Sequence, residues 1–174
     1  MVISWGNKVS TAFIAKLLTI TRELNWSPQQ ASWLMGCMAF ETGETFSPTI
    51  KNAAGSGAIG LIQFMPKTAI GLGTDTSKLE QMTAEQQLDY VKKYFLAYAG
   101  RTKTLEDMYM AILMPKHIGS ENGEPLFRSP SIAFKQNAGL DANKDGVVTK
   151  AEASAKVLAK WQKGLAEGYA LRLQ

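Results

Sequence analysis

The sequence predicts a single, mainly α-helical domain that also contains one glycine-rich loop. Apolar residues recur at helical spacing in several segments, and capping residues, prolines and glycines bound these segments. The chain has 174 residues, which is enough for one domain with a sizeable core. Its apolar content of 45% and charged content of 20% are ordinary for a folded protein. No linker-like stretch divides residues 1–174, so we expect one domain.

Two helices are predicted in the N-terminal quarter of the chain. Residues 8–24 carry apolar side chains at helical spacing. The segment Ser27-Pro28-Gln29-Gln30 is typical of a helix start, because serine caps, proline suits the first turn and the last glutamine completes a capping box. The second helix is expected to end at Gly43. Cys37, the only cysteine, lies inside this apolar pattern, so no intrachain disulfide forms and we expect a buried thiol.

A loop is predicted for residues 45–63, which are rich in Gly, Ala, Ser, Pro and Asn. Short extended pieces in this loop would be a very small β element. The remaining predicted elements, in chain order, are a short helix from Pro66 to the glycines at 71–73, a helix from 83 to 100, a helix from 104 to 114, a loop over 116–130, a short helix near 130–137 and a final helix from about 150 to the end.

The net charge of +4 favours approach to polyanions. Lysines and arginines are scattered except near the C-terminus, and no aromatic–basic array occurs, so nucleic acid is not the expected partner. No apolar run is long enough to span a bilayer. Lys8 and the apolar residues 12–20 faintly resemble a secretion signal, but Lys16 interrupts the run and no cleavage site follows, so we expect a helix of the mature protein.

Glu41 is the candidate catalytic residue, and it lies in the last turn of the second predicted helix. The C-terminal pole of a helix disfavours an ionised carboxylate. Apolar neighbours, expected to be Met38, Phe40 and Phe46, disfavour the charge further by desolvation. Both effects keep a carboxyl group protonated near neutral pH, as a general acid requires. The alternative is a solvated glutamate at a fraying helix end, and Glu44 is expected at the surface.

Residues 57–66, Gly-Ala-Ile-Gly-Leu-Ile-Gln-Phe-Met-Pro, suit the binding of a neutral, hydroxyl-rich ligand. Gly57 and Gly60 allow the backbone to approach a ligand closely. Gln63 offers both a donor and an acceptor for acetamido or hydroxyl groups. The alternative is a glycine-rich turn beside a buried helix.

The pair Glu41-Thr42 followed by Gly-Leu-x-Gln-x-Met-Pro at 60–66 resembles the soluble lytic transglycosylase and goose-type lysozyme family over about residues 29–115. The resemblance implies a lysozyme-like fold that cleaves peptidoglycan between N-acetylmuramic acid and N-acetylglucosamine without a catalytic cofactor. It implies that Glu41 is the single acid/base and that the product is a 1,6-anhydromuramyl sugar. The substrate contacts carried over by the resemblance are Thr42, Ser56, Ile59, Gln63, Met65, Tyr109 and Asn137.

The absence of a second acidic residue near the loop agrees with a transglycosylase. No Asp or Glu lies between Glu44 and Asp75, whereas a two-carboxylate glycosidase needs a base or nucleophile opposite its acid. Only a distant residue such as Asp75 or Glu121 could supply one. The hydrolysing relatives carry aspartates near the loop, at places that look like Ala54 and Met65 here.

The third motif of the family, Ala-Tyr-Asn-x-Gly, is incomplete in this chain. The segment 109–113 supplies Tyr109 without the asparagine. The segment 133–139 matches the motif less closely and supplies Asn137. Tyr109 could equally be a half-buried core residue. The sequence does not decide between the two segments.

Residues 141–152 fit the calcium-binding loop of an EF-hand, with glycine at its sixth position. The alternative is a polar turn followed by a capping box. Because the loop is single, we expect a structural Ca²⁺ that clamps the last helix. The candidate ligands are Asp141, Asn143, Asp145, the carbonyl of Val147, Thr149 and Glu152.

The last predicted helix is basic, and a solvated basic face is the simpler interpretation. The more specific interpretation is contact with an anionic outer membrane. Its basic residues are Lys150, Lys156, Lys160, Lys163 and Arg172.

We therefore predict a monomeric bacteriophage endolysin or virion-associated lysin. It would reside in the host cytoplasm before lysis or on the virion, and would act on the cell wall in the periplasm. The alternatives are a hydrolytic lysozyme on the same fold and a non-catalytic virion or calcium-binding structural protein.

Overall fold

The computed structural model describes residues 1–173, and helices dominate this part of the chain. The mainly α fold predicted from the sequence is confirmed. The helices within the described residues are α1 (Thr11–Glu23), α2 (Pro28–Glu41), α3 (Pro66–Gly71), α4 (Thr76–Glu80), α5 (Ala84–Phe95), α6 (Leu105–Leu113), α7 (Ile132–Asn137) and α8 (Lys150–Lys163).

Two small antiparallel sheets complete the fold. One pairs the first strand with the last and the other pairs the two middle strands, and an irregularity interrupts the second pairing. The strands are β1 (Val2–Ile3), β2 (Pro125–Arg128), β3 (Val147–Thr149) and β4 (Leu171–Arg172). Short 3₁₀ turns occur at Gly6–Lys8, Pro115–His117 and Ala138–Leu140.

Helix α2 lies at the centre of the core. It is buried at nearly every position from Ala31 to Ala39, which explains why it lacks a polar face. Helices α1, α6 and α8 pack around it. Gly36 allows the closest of these approaches, because a β-carbon there would lie 2.7 Å from the β-carbon of Trp161 on α8. Cys37 is fully buried in this core.

Capping boxes define the starts of three helices, and the one predicted at Ser27 is among them. In each, a Ser or Thr side chain accepts from the third helical N–H while a Gln or Glu side chain accepts from the N-cap N–H. The pairs are Ser27 with Gln30, Thr83 with Gln86 and Thr149 with Glu152.

The final helix ends at Lys163, so the prediction that it continues to the end of the chain was wrong. Gly164 packs tightly against the N-terminal segment, since a β-carbon there would lie 2.2 Å from the Ser4 hydroxyl oxygen. The chain then turns back and pairs as β4 with β1. At the end of this ladder, the main chains of Met1 and Leu173 exchange two hydrogen bonds of 2.9 Å.

Three other elements differ from the prediction. Helix α5 ends at Phe95 instead of Gly100, and turns follow it. Helix α4 has only five residues, which is too short for a periodic pattern to predict it, and it begins at a cap from Asp75. The predicted loop over 116–130 contains β2, which exists through its pairing with the distant β3.

Candidate active site

Glu41 is the last residue of α2, and the chain turns sharply after it. The Thr42 hydroxyl donates to the Met38 carbonyl oxygen at 2.7 Å and accepts from the Phe46 N–H at 2.9 Å. Gly43 follows with a φ of 59°, which glycine adopts without strain. Thr42 is fully buried and its hydroxyl is occupied on both sides. Thr42 therefore fixes the helix end, and the direct substrate contact predicted for it is not what the structure favours.

The surroundings of Glu41 keep its carboxyl group protonated at neutral pH. The side chain is partly buried, and burial raises its pKa from an ordinary 4.5 to about 8. Among the described residues, no ion pair or hydrogen bond offsets this rise, and no second carboxylate contributes to it. The position at the negative pole of α2 acts in the same direction.

Glu44 was expected at the surface, but the structure holds it in a charge cluster. Its carboxylate pairs with Lys160, and with Lys163 at 2.8 Å, both on α8. Hydrogen bonds from these two lysines lower the pKa of Glu44. Two carboxyl groups three residues apart in sequence thus have pKa values shifted in opposite directions, so that one is protonated and the other ionised at neutral pH. Such divergent pKa values are typical of acid/base sites.

A cavity of about 300 Å³ lies against Tyr109 and against Phe40, the residue before Glu41. The Tyr109 ring packs edge-on against Phe40 with 5.6 Å between ring centroids. Burial raises the pKa of Tyr109, and the nearby charge of Glu41 raises it further. Asn137 lines the same cavity, so both candidate segments for the third motif meet there.

Gln63 faces into the glycine-rich loop. Its amide group donates to the carbonyl oxygens of Ile50 and Gly60, both at 3.1 Å. Its φ is 53°, in the left-handed region. With both amide hydrogens engaged, only the side-chain oxygen remains to accept a bond from a ligand.

Gln87 on α5 anchors the glycine-rich loop, although it was not among the predicted site residues. Its side-chain oxygen accepts from the Leu61 N–H at 2.8 Å. Its amide donates to the carbonyl oxygens of Pro48 at 2.9 Å and Leu79 at 3.1 Å. The contact requires glycine at position 60, where a β-carbon would lie 2.2 Å from the Gln87 oxygen.

A signal for Gln87 was available in the sequence. It precedes Leu88 and lies one turn before Val91 on the buried face of α5. A glutamine inside an apolar stripe is fully buried here, and buried polar groups need partners. The partners were not predictable, because Pro48 lies 39 residues away.

The other predicted contacts on the loop differ in exposure. Met65 is 45% exposed and available to a ligand. Ser56 is exposed, and its hydroxyl accepts from the Ala58 N–H at 3.2 Å. Ile59 is 2% exposed and its main chain pairs with Phe64, so it supports the loop and presents almost no surface for the predicted contact.

The side chains of the predicted calcium loop point back into the loop. Asp141 accepts from the Gly146 N–H at 3.0 Å, and Gly146 has a φ of 82°. Asn143 accepts from the Asp145 N–H at 2.9 Å. The second carboxylate oxygen of Asp141 is buried without a hydrogen-bond partner in the part of the chain described.

The Glu152 carboxylate forms part of the capping box of α8 and accepts from the Thr149 N–H at 2.9 Å. These hydrogen bonds lower the pKa of Glu152. Across residues 1–173, no three His, Cys, Asp or Glu side chains are grouped to hold a metal. The other carboxylate oxygen of Glu152 already faces the loop and accepts from the Asn143 N–H at 3.5 Å. Calcium binding would replace such main-chain contacts and would use amide and main-chain oxygens as well.

The basic residues of the C-terminal region are not one solvated face. Lys150 is 2% exposed, and its ammonium group pairs with Asp107 at 2.6 Å and donates to the Ser120 carbonyl at 2.8 Å. Lys160 and Lys163 share Glu44. Arg172 lies beyond the helix, in β4. Among the described residues, no helix is long and apolar enough to cross a membrane.

A helical core, one protonated carboxyl group at a helix end and an anchored glycine-rich loop define a lysozyme-like protein. The sequence model of the phage tail lysozyme family matches residues 14–111, more than half of the chain. The chain belongs to this family, and the predicted kinship with phage lysozymes is confirmed. No curated protein and no solved structure matches it. The family indicates a lysozyme-like function in peptidoglycan degradation. The matched part ends within α6, before the cavity wall at Asn137 and the predicted calcium loop.

Proposed function

We propose that the protein is a lytic transglycosylase that cleaves the bond between N-acetylmuramic acid and N-acetylglucosamine, with Glu41 as its single acid/base. The observation that carries this proposal is the isolation of Glu41, because burial raises its pKa and no other carboxylate contributes to the rise. The nearest acidic residue in sequence, Glu44, is engaged by two lysines and is not free to act as a base. Asp75 caps α4 by accepting from the Lys78 N–H at 2.8 Å.

The chemistry follows from one group acting twice. Protonated Glu41 donates its proton to the glycosidic oxygen as the bond breaks. The resulting carboxylate then takes a proton from the C6 hydroxyl group of the muramic acid, which attacks C1 and closes the 1,6-anhydro ring. The acetamido group of the substrate stabilises the intermediate. The low polarity around Glu41 favours the protonated form with which the cycle starts and ends.

The test is mass spectrometry of the fragments released from purified peptidoglycan. We expect anhydromuramyl products from the wild type and at least about a 100-fold loss of rate in Glu41→Gln. Glu23→Gln is the matched control, because Glu23 is also the last residue of a helix but pairs with Lys92 at 2.8 Å. Reducing-end products would establish a hydrolytic lysozyme instead. The absence of any product from the folded wild type would establish a non-catalytic virion or structural role.

We further propose that the protein acts from the phage particle rather than as a free endolysin. The support is the description of its family as tail lysozymes. Peptide mass spectrometry of purified particles should detect the chain, and its presence only in the lysate would favour an endolysin. The monomeric state and contact with an anionic outer membrane remain predictions.

We also propose that residues 141–152 bind Ca²⁺ as a structural clamp. The loop has glycine in the required left-handed conformation at Gly146, and Asp141 has an unpartnered buried oxygen that a cation would satisfy. The loop joins the Ala138–Leu140 turn to α8, and β3 within it pairs with β2. A bound ion would thus tie the cavity wall to the last helix.

Thermal melting with Ca²⁺ and with a chelator tests the clamp. Ca²⁺ at about 100 times its dissociation constant adds about 2.7 kcal/mol, or roughly 5–10 °C for a chain of this size. Glu152→Gln should remove this shift, while its amide oxygen still accepts from the Thr149 N–H and preserves the capping box. Identical melting curves with Ca²⁺ and chelator would refute the site.

A further inference from the structure

A groove runs along α8 and passes Phe40, the residue before Glu41. It consists of two adjoining cavities of about 300 and 280 Å³, which share Phe40 and Lys156. The first cavity reaches Tyr109 and Asn137, and the second reaches Lys160 and Lys163. We call this surface the α8 groove. Lys156 stands where its two halves meet.

The α8 groove carries an excess of positive charge. Lys156, Lys160 and Lys163 follow one another at intervals of four and three residues, so they share a face of the helix. Glu44 is the only carboxylate in the described chain that pairs with any of them. The partner of Lys156 is the carbonyl oxygen of Gly139 at 2.6 Å, which carries no countercharge.

We propose that the α8 groove binds the carboxylates of the peptide attached to muramic acid, with Lys156 as the group that pairs with them. This inference rests on the proposed function. The peptide branches from the sugar whose bond is cleaved, so it must leave the site close to Glu41. Phe40, the residue before Glu41, lies where the two halves of the α8 groove meet. Lys156 offers an ammonium group there without a countercharge, and Phe40 and Leu140 supply an apolar lining. A short acidic peptide matches both features.

A membrane surface fits the α8 groove less well than a peptide does. An interfacial helix needs exposed apolar side chains beside its basic residues. The large hydrophobic side chains exposed in the described chain lie elsewhere, at Met1, Val2, Met65, Ile70, Leu96 and Ile132. Two of the three lysines are also held by Glu44.

The experiment compares two forms of one substrate, intact peptidoglycan strands and strands whose peptides an amidase has removed. The measured quantity is the ratio of kcat/KM on intact strands to kcat/KM on stripped strands. We expect Lys156→Gln to lower this ratio about fivefold, the effect of a modest ion pair. Lys156→Arg should retain it. Lys103→Gln, in a separate cavity lined by Glu23 and Leu24, is the control and should also retain it.

The outcomes distinguish failure of the proposed peptide site from failure of the proposed function. An unchanged ratio in Lys156→Gln would overturn the peptide site while the proposed activity stands. Loss of binding to anionic vesicles by Lys156→Gln, with the ratio unchanged, would assign the lysine to a membrane instead. Failure of the wild type to cleave either strand would overturn the proposed function itself. Because the readout is a ratio within one variant, partial loss of stability does not mimic the expected result.

Discussion

Replacing Glu41 by glutamine should stabilise the folded protein at alkaline pH. The carboxyl group has a pKa of about 8 in the folded protein and about 4.5 when exposed. Between these values the folded protein holds a proton that the unfolded chain has released. The free energy of unfolding therefore falls as pH rises from 4.5 to 8, and the full destabilisation by the buried carboxylate is present above pH 8. A glutamine side chain has no proton to lose and avoids this cost.

The size of the effect follows from the same two values. At about 1.4 kcal/mol per pH unit, the difference sets an upper bound of about 5 kcal/mol. Glu41 is only partly buried, so water screens its charge. We therefore expect a gain of about 1–3 kcal/mol at pH 9 and almost none at pH 4.

Urea denaturation at pH 4, 7 and 9 measures this effect directly. Glu44→Gln is the internal control with the opposite sign, because Lys160 and Lys163 lower the pKa of Glu44. The stability that Glu44 contributes is present above its unfolded pKa and is lost as pH falls, so Glu44→Gln should be less stable than wild type at pH 7 and 9. If the free energy of unfolding depends on pH in the same way for wild type and Glu41→Gln, burial does not raise the pKa of Glu41. The basis for Glu41 as the acid would then be refuted.

Three further predictions concern other parts of the molecule. Gln87→Leu leaves the Leu61 N–H and the Pro48 carbonyl oxygen unpaired, while the Leu79 carbonyl oxygen still accepts from the Met82 N–H at 3.2 Å. It should lower the free energy of unfolding in urea by about 3 kcal/mol, whereas Gln162→Leu on the exposed face of α8 should change it by less than about 0.5 kcal/mol. Lys150→Met leaves the Asp107 charge buried without its partner and should lower the free energy of unfolding by about 3–5 kcal/mol. If the double change Lys150→Met with Asp107→Asn lowers the free energy of unfolding as much as the single change does, the ion pair is not the cause. The rate of peptidoglycan cleavage should fall as pH rises through about 8, where Glu41 loses its proton, and a fall already complete at pH 6 would contradict this.

Local sequence patterns predicted the fold well because each depends on near neighbours. Capping boxes act over three residues, and the one predicted from Ser27 to Gln30 is present. Glu41 could be placed at a helix end for the same reason, since Gly43 and the Ser27 start bound α2. The protonation of Glu41 then followed from its place and its neighbours.

Interactions between distant parts of the chain were not predictable from these patterns. Glu44 meets lysines 116 and 119 residues away, so it could only be assigned to the surface. Gln87 serves a loop 26 residues away at Leu61. The end of α8 depends on packing of Gly164 against Ser4, which no periodicity reveals.

The pairing of β1 with β4 brings the two ends of the described chain side by side, with Met1 and Leu173 joined by two hydrogen bonds. Adjacent strands are separated by only about 4.8 Å, so a chain enters and leaves this domain at nearly one point. Such a domain can be inserted into a surface loop of a host protein with little disturbance of either partner. It can also be circularly permuted, with a short linker across this pair and new ends in an exposed turn. Helix α2 and Glu41 would remain intact in either arrangement, because the cut lies outside them.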